Sequence, residues 1–159
     1  MSTPLHYASL YKHTNVIQLL IEHGADVNKK NKRGEAPLLE VSFYDQTDIM
    51  QILIDANADI NTKDNGEHTP LHLASYEGHT NAMRLLIDAG ANINEKNNGG
   101  RTPLHLASYE GHINAIQLLI EAGADINVKN NHGWTPNQGE VCGFNSDAMQ
   151  LFRSYGAHR

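Results

Sequence analysis

The feature that most constrains this chain is a segment that recurs after 33 residues. Residues 69–79 read TPLHLASYEGH, and residues 102–112 read the same. Further copies, more or less degraded, begin at Thr3, Ala36 and Thr135, so the five starting positions are all separated by 33 residues. A fixed period of this size indicates stacked supersecondary units, each of which is too small to bury a core of its own.

Each unit carries the signals of two helices. Threonine is a good N-cap, and the proline that follows it suits the first helical position. In the third unit this pair predicts a helix that ends near Gly78, where glycine permits a left-handed conformation. The apolar pattern predicts a second helix over about 80–88, with Leu85, and Leu118 one unit later, in its buried stripe. The small residues Ala74 and Ala107 are expected where two helices approach closely.

Two units depart from this pattern at glycine positions. Unit two has Asp45 and Asn57 where other units have glycine, and we therefore expect it to be the least stable. Unit three has Glu67 where the neighbouring units have Gly34 and Gly100, which predicts an altered turn.

The repeated pattern Thr-Pro-Leu-His-x-Ala, the following Gly-His and the Gly-Ala-Asp-Val/Ile-Asn ending resemble the ankyrin repeat over essentially the whole chain. The resemblance implies an all-α solenoid, in which paired antiparallel helices are joined by β-hairpin-like loops. It also implies a single domain, 1–159. Its units are expected at 1–30, 31–63, 64–96, 97–129 and 130–159. The first unit is read as N-terminally truncated, and the polar last unit as a C-terminal cap.

Composition limits the function classes. The chain has 12 Lys and Arg against 18 Asp and Glu, a net charge of −6, which argues against nucleic acid as the main partner. No apolar run approaches the ~18 residues of a membrane-spanning helix. A single cysteine, Cys142, cannot form an internal disulfide, so we expect an intracellular and most simply cytoplasmic protein that does not bind membranes.

Ten histidines raise the question of a metal site. Six of them occupy two motif positions: His6, His72 and His105, and then His13, His79 and His112. Repetition at the unit period favours a structural role in which each imidazole ties loop backbone in its own unit. No spacing typical of a zinc site occurs, and Cys142 lacks a recognisable base. We therefore expect no enzyme, no cofactor and no metal.

The informative positions are those that the scaffold does not dictate. They lie on the exposed side of the first helix and at the hairpin tip, and Tyr, Trp and Arg there are typical of interface hot spots. The predicted partner-binding residues are Phe43, Tyr44, His68, Tyr76, Glu77, Arg101, Tyr109, Glu110 and Trp134. If the stack curves as the resemblance implies, they line its concave face, with a row of lysines along the opposite flank: Lys30, Lys63, Lys96 and Lys129. Two alternatives stay open, namely that Tyr76 and Tyr109 match only through duplication, and that Trp134 packs under the last unit.

The leading hypothesis is a non-catalytic protein–protein interaction module that binds another protein through its concave face and hairpin tips. The alternative is a regulatory or targeting segment of a larger enzyme or effector. We expect a monomer, with self-association through the first unit as a further hypothesis.

A modification hypothesis comes from the resemblance alone. One asparagine per unit matches the acceptor of an asparaginyl hydroxylase in ankyrin repeats: Asn28, Asn61, Asn94 and Asn127. The simpler interpretation is that these amides fix the hairpin turn.

Overall fold

The computed structural model describes residues 1–138 and 146–156. Within these residues the chain forms helices and turns without a β-strand, as the all-α prediction requires. The helices are α1 (Pro4–Leu10), α2 (Thr14–Glu22), α3 (Pro37–Phe43), α4 (Thr47–Asp55), α5 (Pro70–Glu77), α6 (Thr80–Asp88), α7 (Pro103–Glu110), α8 (Ile113–Glu121) and α9 (Ser146–Ser154). A short 3₁₀ turn, Pro136–Gln138, stands where the fifth unit's first helix was expected to begin.

The first helices start and stop as the motif predicts. Thr69 is extended, and its hydroxyl accepts the backbone N–H of His72 at 3.4 Å. Gly78 ends α5 with a positive φ of 72°. In units one and two the same position is held by Lys12 and Asp45, at φ values of 57° and 52°. These two residues adopt a conformation that costs a non-glycine residue about 1–2 kcal/mol.

The helices form two rows. Each first helix packs against the first helices of the neighbouring units, and the second helices α4, α6, α8 and α9 pack successively against one another. The core lies between the rows and runs continuously from Leu5 to Phe152. Ala74 and Ala107 are fully buried, as predicted. Leu85 and Leu118, which were expected in the buried stripe, are only partly buried. The fully buried leucines are the next residues along, Leu86 and Leu119.

An asparagine or aspartate side chain closes each hairpin turn. The Asn97 Oδ1 accepts the backbone N–H groups of Gly99 and Arg101 at 2.9 and 3.0 Å, and the Asn97 N–H donates to the Arg101 carbonyl at 3.0 Å. The same arrangement begins at Asn31, Asp64 and Asn130.

The turn at Glu67 keeps this geometry. The Glu67 N–H donates to the Asp64 carbonyl at 3.1 Å, as Gly34 N–H does to Asn31 at 3.0 Å, and Glu67 adopts a φ of 62°. The expectation of an altered turn was therefore wrong. The glutamate takes the left-handed conformation because hydrogen bonds on both sides of it hold the turn.

The outer face of α2 is uncovered. Val16 is 47% and Leu19 55% exposed, so the described residues leave this side of α2 open. The residues equivalent to Val16 in α4 and α6, Ile49 and Ala82, are buried. None of the described helices is both long enough and apolar enough to cross a membrane.

Candidate functional site

The side chains that the scaffold leaves exposed on α1, α3, α5 and α7 form one continuous surface, which we call the first-helix face. It is continuous because each of these helices contacts the next. Tyr44 is 53% and Tyr76 40% exposed, although both are large apolar side chains. Phe43 and Tyr109 are half-buried beside them. Phe43 packs edge-on against Tyr44, with ring centroids 5.1 Å apart.

One tyrosine of this face, Tyr7 on α1, was missed in the sequence, and Tyr11 occupies the same repeat position as Tyr44 but was not among the predicted binding residues. Tyr7 and Tyr11 are 56% and 65% exposed and extend the aromatic surface into unit one. A signal for Tyr7 was present, since it occupies the variable position of the Thr-Pro-Leu-His-x-Ala pattern, which Glu40 and Leu73 hold in other units. Glu40 is a half-buried carboxyl, and burial is the main reason that its pKa is raised.

Carboxylates border the aromatic surface in units three and four. Glu110 lies close to the hydroxyl of Tyr76, which belongs to the preceding unit. The negative charge of Glu110 is the largest cause of the raised pKa of Tyr76, followed by partial desolvation. Among the described residues, neither Glu77 nor Glu110 is paired with a lysine or arginine.

The hairpin tip of unit four reaches this face. The guanidinium carbon of Arg101 lies 5.9 Å from the ring centroid of Tyr109, within the range of a cation–π contact. Trp134 joins these two residues in lining a small cleft, together with His105 and Pro136. The structure thus brings Arg101, Tyr109 and Trp134 together, at the start of the last unit.

His68 does not join the aromatic surface in the same way. Its Nδ1 lies 3.2 Å from the Asp64 carboxylate, and its ring is 6.0 Å from His72. It therefore interacts with its own hairpin and helix, and it stands where Arg101 stands one unit later.

A first set of histidines holds adjacent units together. The Thr69 N–H donates to His72 Nδ1 at 3.1 Å, so Nδ1 is unprotonated and Nε2 carries the hydrogen. Nε2 then donates to the Arg101 carbonyl in the next unit at 2.9 Å. His6 and His105 repeat this arrangement toward Glu35 and Trp134. Burial lowers the pKa of His72 to about 4 and also lowers the pKa of His105.

A second set links each unit to the preceding one. His112 Nε2 donates to the Tyr76 carbonyl at 2.9 Å, and His79 Nε2 to the Phe43 carbonyl at 3.0 Å. In unit two Gln46 does the same toward Leu10 at 3.2 Å. The structural role predicted for histidine is thus correct. The prediction that each imidazole binds backbone only in its own unit was incomplete, because both sets also bind backbone of a neighbouring unit. These bonds fix the ends of the helices that present Phe43 and Tyr76.

The lysine row does not form an open flank. Lys30 Nζ donates to the Lys63 carbonyl at 2.7 Å, and Lys96 Nζ to the Lys129 carbonyl at 2.9 Å. Lys63 lies between Glu67 and Glu95, 2.8 Å from each, and these two partners raise its pKa to about 12. Three of the four lysines are therefore engaged by the next unit.

The repeated asparagines also bridge units. Asn28 Oδ1 accepts the Asp59 N–H at 2.7 Å, and Asn94 Oδ1 accepts the Asp125 N–H at 2.8 Å. Asn61 forms the same bond with Asn92. The amides therefore join neighbouring units instead of fixing the turn of their own hairpin, which corrects that interpretation. All of these asparagines, and Asn127, are exposed.

In the part of the chain that the structure describes, no group of three or more His, Cys, Asp or Glu side chains could hold a metal ion. Cys142 lies outside the described residues. The first-helix face, with the adjoining hairpin tip, offers aromatic rings, carboxylates and one stacked guanidinium. Such groups bind polypeptide side chains.

A family model described as "Ankyrin repeats (3 copies)" matches residues 1–64 and again residues 39–130. The matched residues span the four units predicted before the cap. Proteins of this family generally act as protein–protein interaction modules and are typically non-catalytic.

Proposed function

Because the chain belongs to the ankyrin-repeat family, we propose that it is a non-catalytic interaction module that binds a partner protein through the first-helix face and the adjoining hairpin tips. The observation that carries this proposal is the exposure of Tyr44 and Tyr76 at the C-terminal ends of α3 and α5, in neighbouring units. Neither residue is needed to fill the core, and contiguous exposed aromatic surface marks interaction sites.

The hairpin tips supply the second part of the proposed surface. Arg101 and Trp134 meet Tyr109 at the start of the last unit. Rings and guanidinium groups bury a large area with few rotatable bonds, and this is why they dominate binding energy at interfaces. The backbone carbonyls of Arg101 and Trp134 accept hydrogen bonds from His72 and His105, so the hairpin tips are held in place before a partner binds.

The proposal is tested by truncating the aromatic residues together. A variant with Tyr76→Ala, Tyr109→Ala and Trp134→Ala should lose capture of partner proteins from host lysate and keep its helical circular dichroism. A control with Arg84→Ala, Asn114→Ala and Gln117→Ala changes exposed residues of the second helices and should still capture them. Equal capture by both variants would refute the proposed face.

A second candidate function is self-association through the outer face of α2. Val16 and Leu19 are exposed there, whereas their counterparts in the later units are at least partly buried. Sedimentation velocity of the wild type and of a Val16→Glu, Leu19→Glu variant tests this. A concentration-dependent dimer that the variant lacks would support it, and a monomer at all concentrations would exclude it.

Hydroxylation of Asn28, Asn61, Asn94 and Asn127 remains a proposal. For three of these asparagines the structure adds that the side-chain oxygen accepts a bond from the next unit, so the modifying enzyme would have to open that contact first. Intact-mass measurement after incubation with an asparaginyl hydroxylase decides the matter, since a chain that gains no oxygen is not a substrate.

A further inference from the structure

Units three and four are nearly identical in sequence, but they differ at the hairpin residue next to the first-helix face. In unit four this residue is Arg101, whose guanidinium lies over the Tyr109 ring. In unit three it is His68, which turns to Asp64. The spacing from hairpin residue to tyrosine is the same in both units, so the Tyr76 ring lacks the cation that its counterpart has.

The surroundings of Tyr76 favour a cation. Its helix α5 packs directly on α7, and Glu77 and Glu110 are the last residues of these two helices, so both carboxylates lie at the same end of the helix pair as the Tyr76 ring. Both negative charges contribute to the raised pKa of Tyr76, that of Glu110 more strongly. The nearest arginine of the face, Arg101, is already placed over Tyr109. An exposed ring with two carboxylates at the same end of its helix pair, neither of them paired with a lysine or arginine among the described residues, is a surface that a positively charged group would complement.

We propose that Tyr76, Glu77 and Glu110 form a subsite for an arginine side chain of the partner protein. This inference rests on the proposed function and deepens it, since it names the chemistry that the partner presents. The partner's guanidinium lies over the Tyr76 ring, as Arg101 lies over Tyr109, and its N–H groups donate to the Glu77 and Glu110 carboxylates.

Arginine fits this subsite better than lysine. A guanidinium is planar, so it stacks on a ring while its edge still donates to carboxylates. A lysine ammonium is more strongly hydrated and offers no flat face. The arginine is expected on an exposed or extended segment of the partner, because the subsite is an open surface that Glu77 and Glu110 border in two successive units.

The structure suggests a variant that fills the subsite from within. His68→Arg places an arginine at the position that Arg101 occupies one unit later, so its guanidinium should cover Tyr76 and exclude the partner's. The matched control is Gln117→Arg, which adds the same charge on the exposed side of α8. Neither substitution touches a buried core residue, so both proteins should fold.

The probe is a short acetylated and amidated Gly/Ser peptide with one central arginine, followed by amide NMR. Two control peptides replace the arginine, one with citrulline, which is flat but uncharged, and one with lysine. The arginine peptide should shift the signals of Tyr76, Glu77 and Glu110 and bind at least about fivefold more tightly than the citrulline peptide, as one cation–π contact and one exposed ion pair would give. His68→Arg and Glu110→Gln should each weaken this binding by a similar factor, and Gln117→Arg should not.

Equal binding of arginine and citrulline peptides, shifts centred elsewhere, or an unchanged affinity in His68→Arg would overturn the subsite. If that happens while the aromatic triple variant still loses its captured partner, the face is correct and the partner's chemistry is different. If the triple variant also keeps its partner, the proposed function falls as well.

Discussion

The Nε2–H of His72 donates to the carbonyl oxygen of Arg101, 2.9 Å away in the next unit. The same arginine places its guanidinium over Tyr109 on the first-helix face. A fully buried imidazole therefore fixes the backbone of a residue whose side chain shapes the proposed binding surface. This link connects the repeated motif, which builds the stack, to the variable positions, which give it a surface of its own.

Acid should weaken the stack through His72. Burial lowers its folded-state pKa from 6.5 to about 4. Between these values the unfolded chain takes up a proton that the folded protein does not. The contribution to stability is therefore complete above about pH 6.5 and is lost as the pH falls toward 4, by about 3 kcal/mol in total. Urea unfolding at pH 7.5 and 5.0 measures the loss. His72→Gln, which keeps an acceptor but does not titrate, should show a smaller difference, and an equal one would contradict this account.

Unit two should open before units three and four. Asp45 and Asn57 hold positive φ values of 52° and 64° there, and Ala36 provides no side-chain cap for α3. Each of these features costs stability by about 1 kcal/mol. Native-state amide exchange should show faster exchange in α3 and α4 than in α5 to α8. Uniform protection along the stack would contradict the prediction.

Restoring the missing histidine should strengthen the joint between units two and three. Leu39 occupies the position of His72, and an apolar side chain cannot donate to the His68 carbonyl. A double variant, Ala36→Thr with Leu39→His, supplies the cap and the donor together. We expect it to be more stable than Leu39→His alone by about 1 kcal/mol, because the threonine caps the helix and orients the imidazole. Guanidinium denaturation of the wild type, of Ala36→Thr, of Leu39→His and of the double variant gives the coupling free energy between positions 36 and 39. Strictly additive changes in stability would contradict the idea that the threonine orients the imidazole.

Glycine at position 67 should stabilise the protein. Glu67 is held at a φ of 62°, and its ion pair with Lys63 is partly exposed and partly duplicated by Glu95. Glu67→Gly should raise the unfolding free energy by about 0.5–1 kcal/mol, since relieving the backbone outweighs a surface ion pair. Gly100→Glu is the opposite control. A Cβ there would clash with the side chain of Asn131, so that variant should lose stability. Thermal unfolding of the wild type and both variants measures the two changes.

Two adjacent leucines should respond differently to truncation. Leu86 is fully buried, and Leu86→Ala should cost about 2–5 kcal/mol through lost burial and the cavity that remains. Leu85 is partly exposed, so Leu85→Ala should cost clearly less. Chemical denaturation of both variants checks the difference, and equal losses would show that the second helices pack differently from this description.

Much of the fold could be predicted because the motif is local. Thr69, Pro70 and Gly78 set the start and end of α5 through their own backbone preferences, and those preferences can be read from one unit. The prediction was less good where neighbouring units meet. Lys30 and Lys96 resemble surface cations in the sequence, yet each is bound to a carbonyl 33 residues away.

The candidate site divides in the same way. Tyr44, Tyr76 and Tyr109 could be selected from the sequence, because the scaffold gives no reason for aromatic residues at those positions. The sequence could not predict that Arg101 covers Tyr109 while His68 turns away from Tyr76. This difference depends on the carboxylate of Asp64 and on how the hairpins stack.

The sequence by itself determined the period, the helices of each unit and the order of the stack, because each of these follows from preferences that act within about one turn of backbone. Only the tertiary structure decided which histidine, lysine and asparagine groups bind across units, and which tyrosine is left without a cation. Those outcomes depend on distances between residues 29 to 36 apart in the chain, such as His72 to Arg101 and His112 to Tyr76. Such distances are set by the packing of one unit on the next.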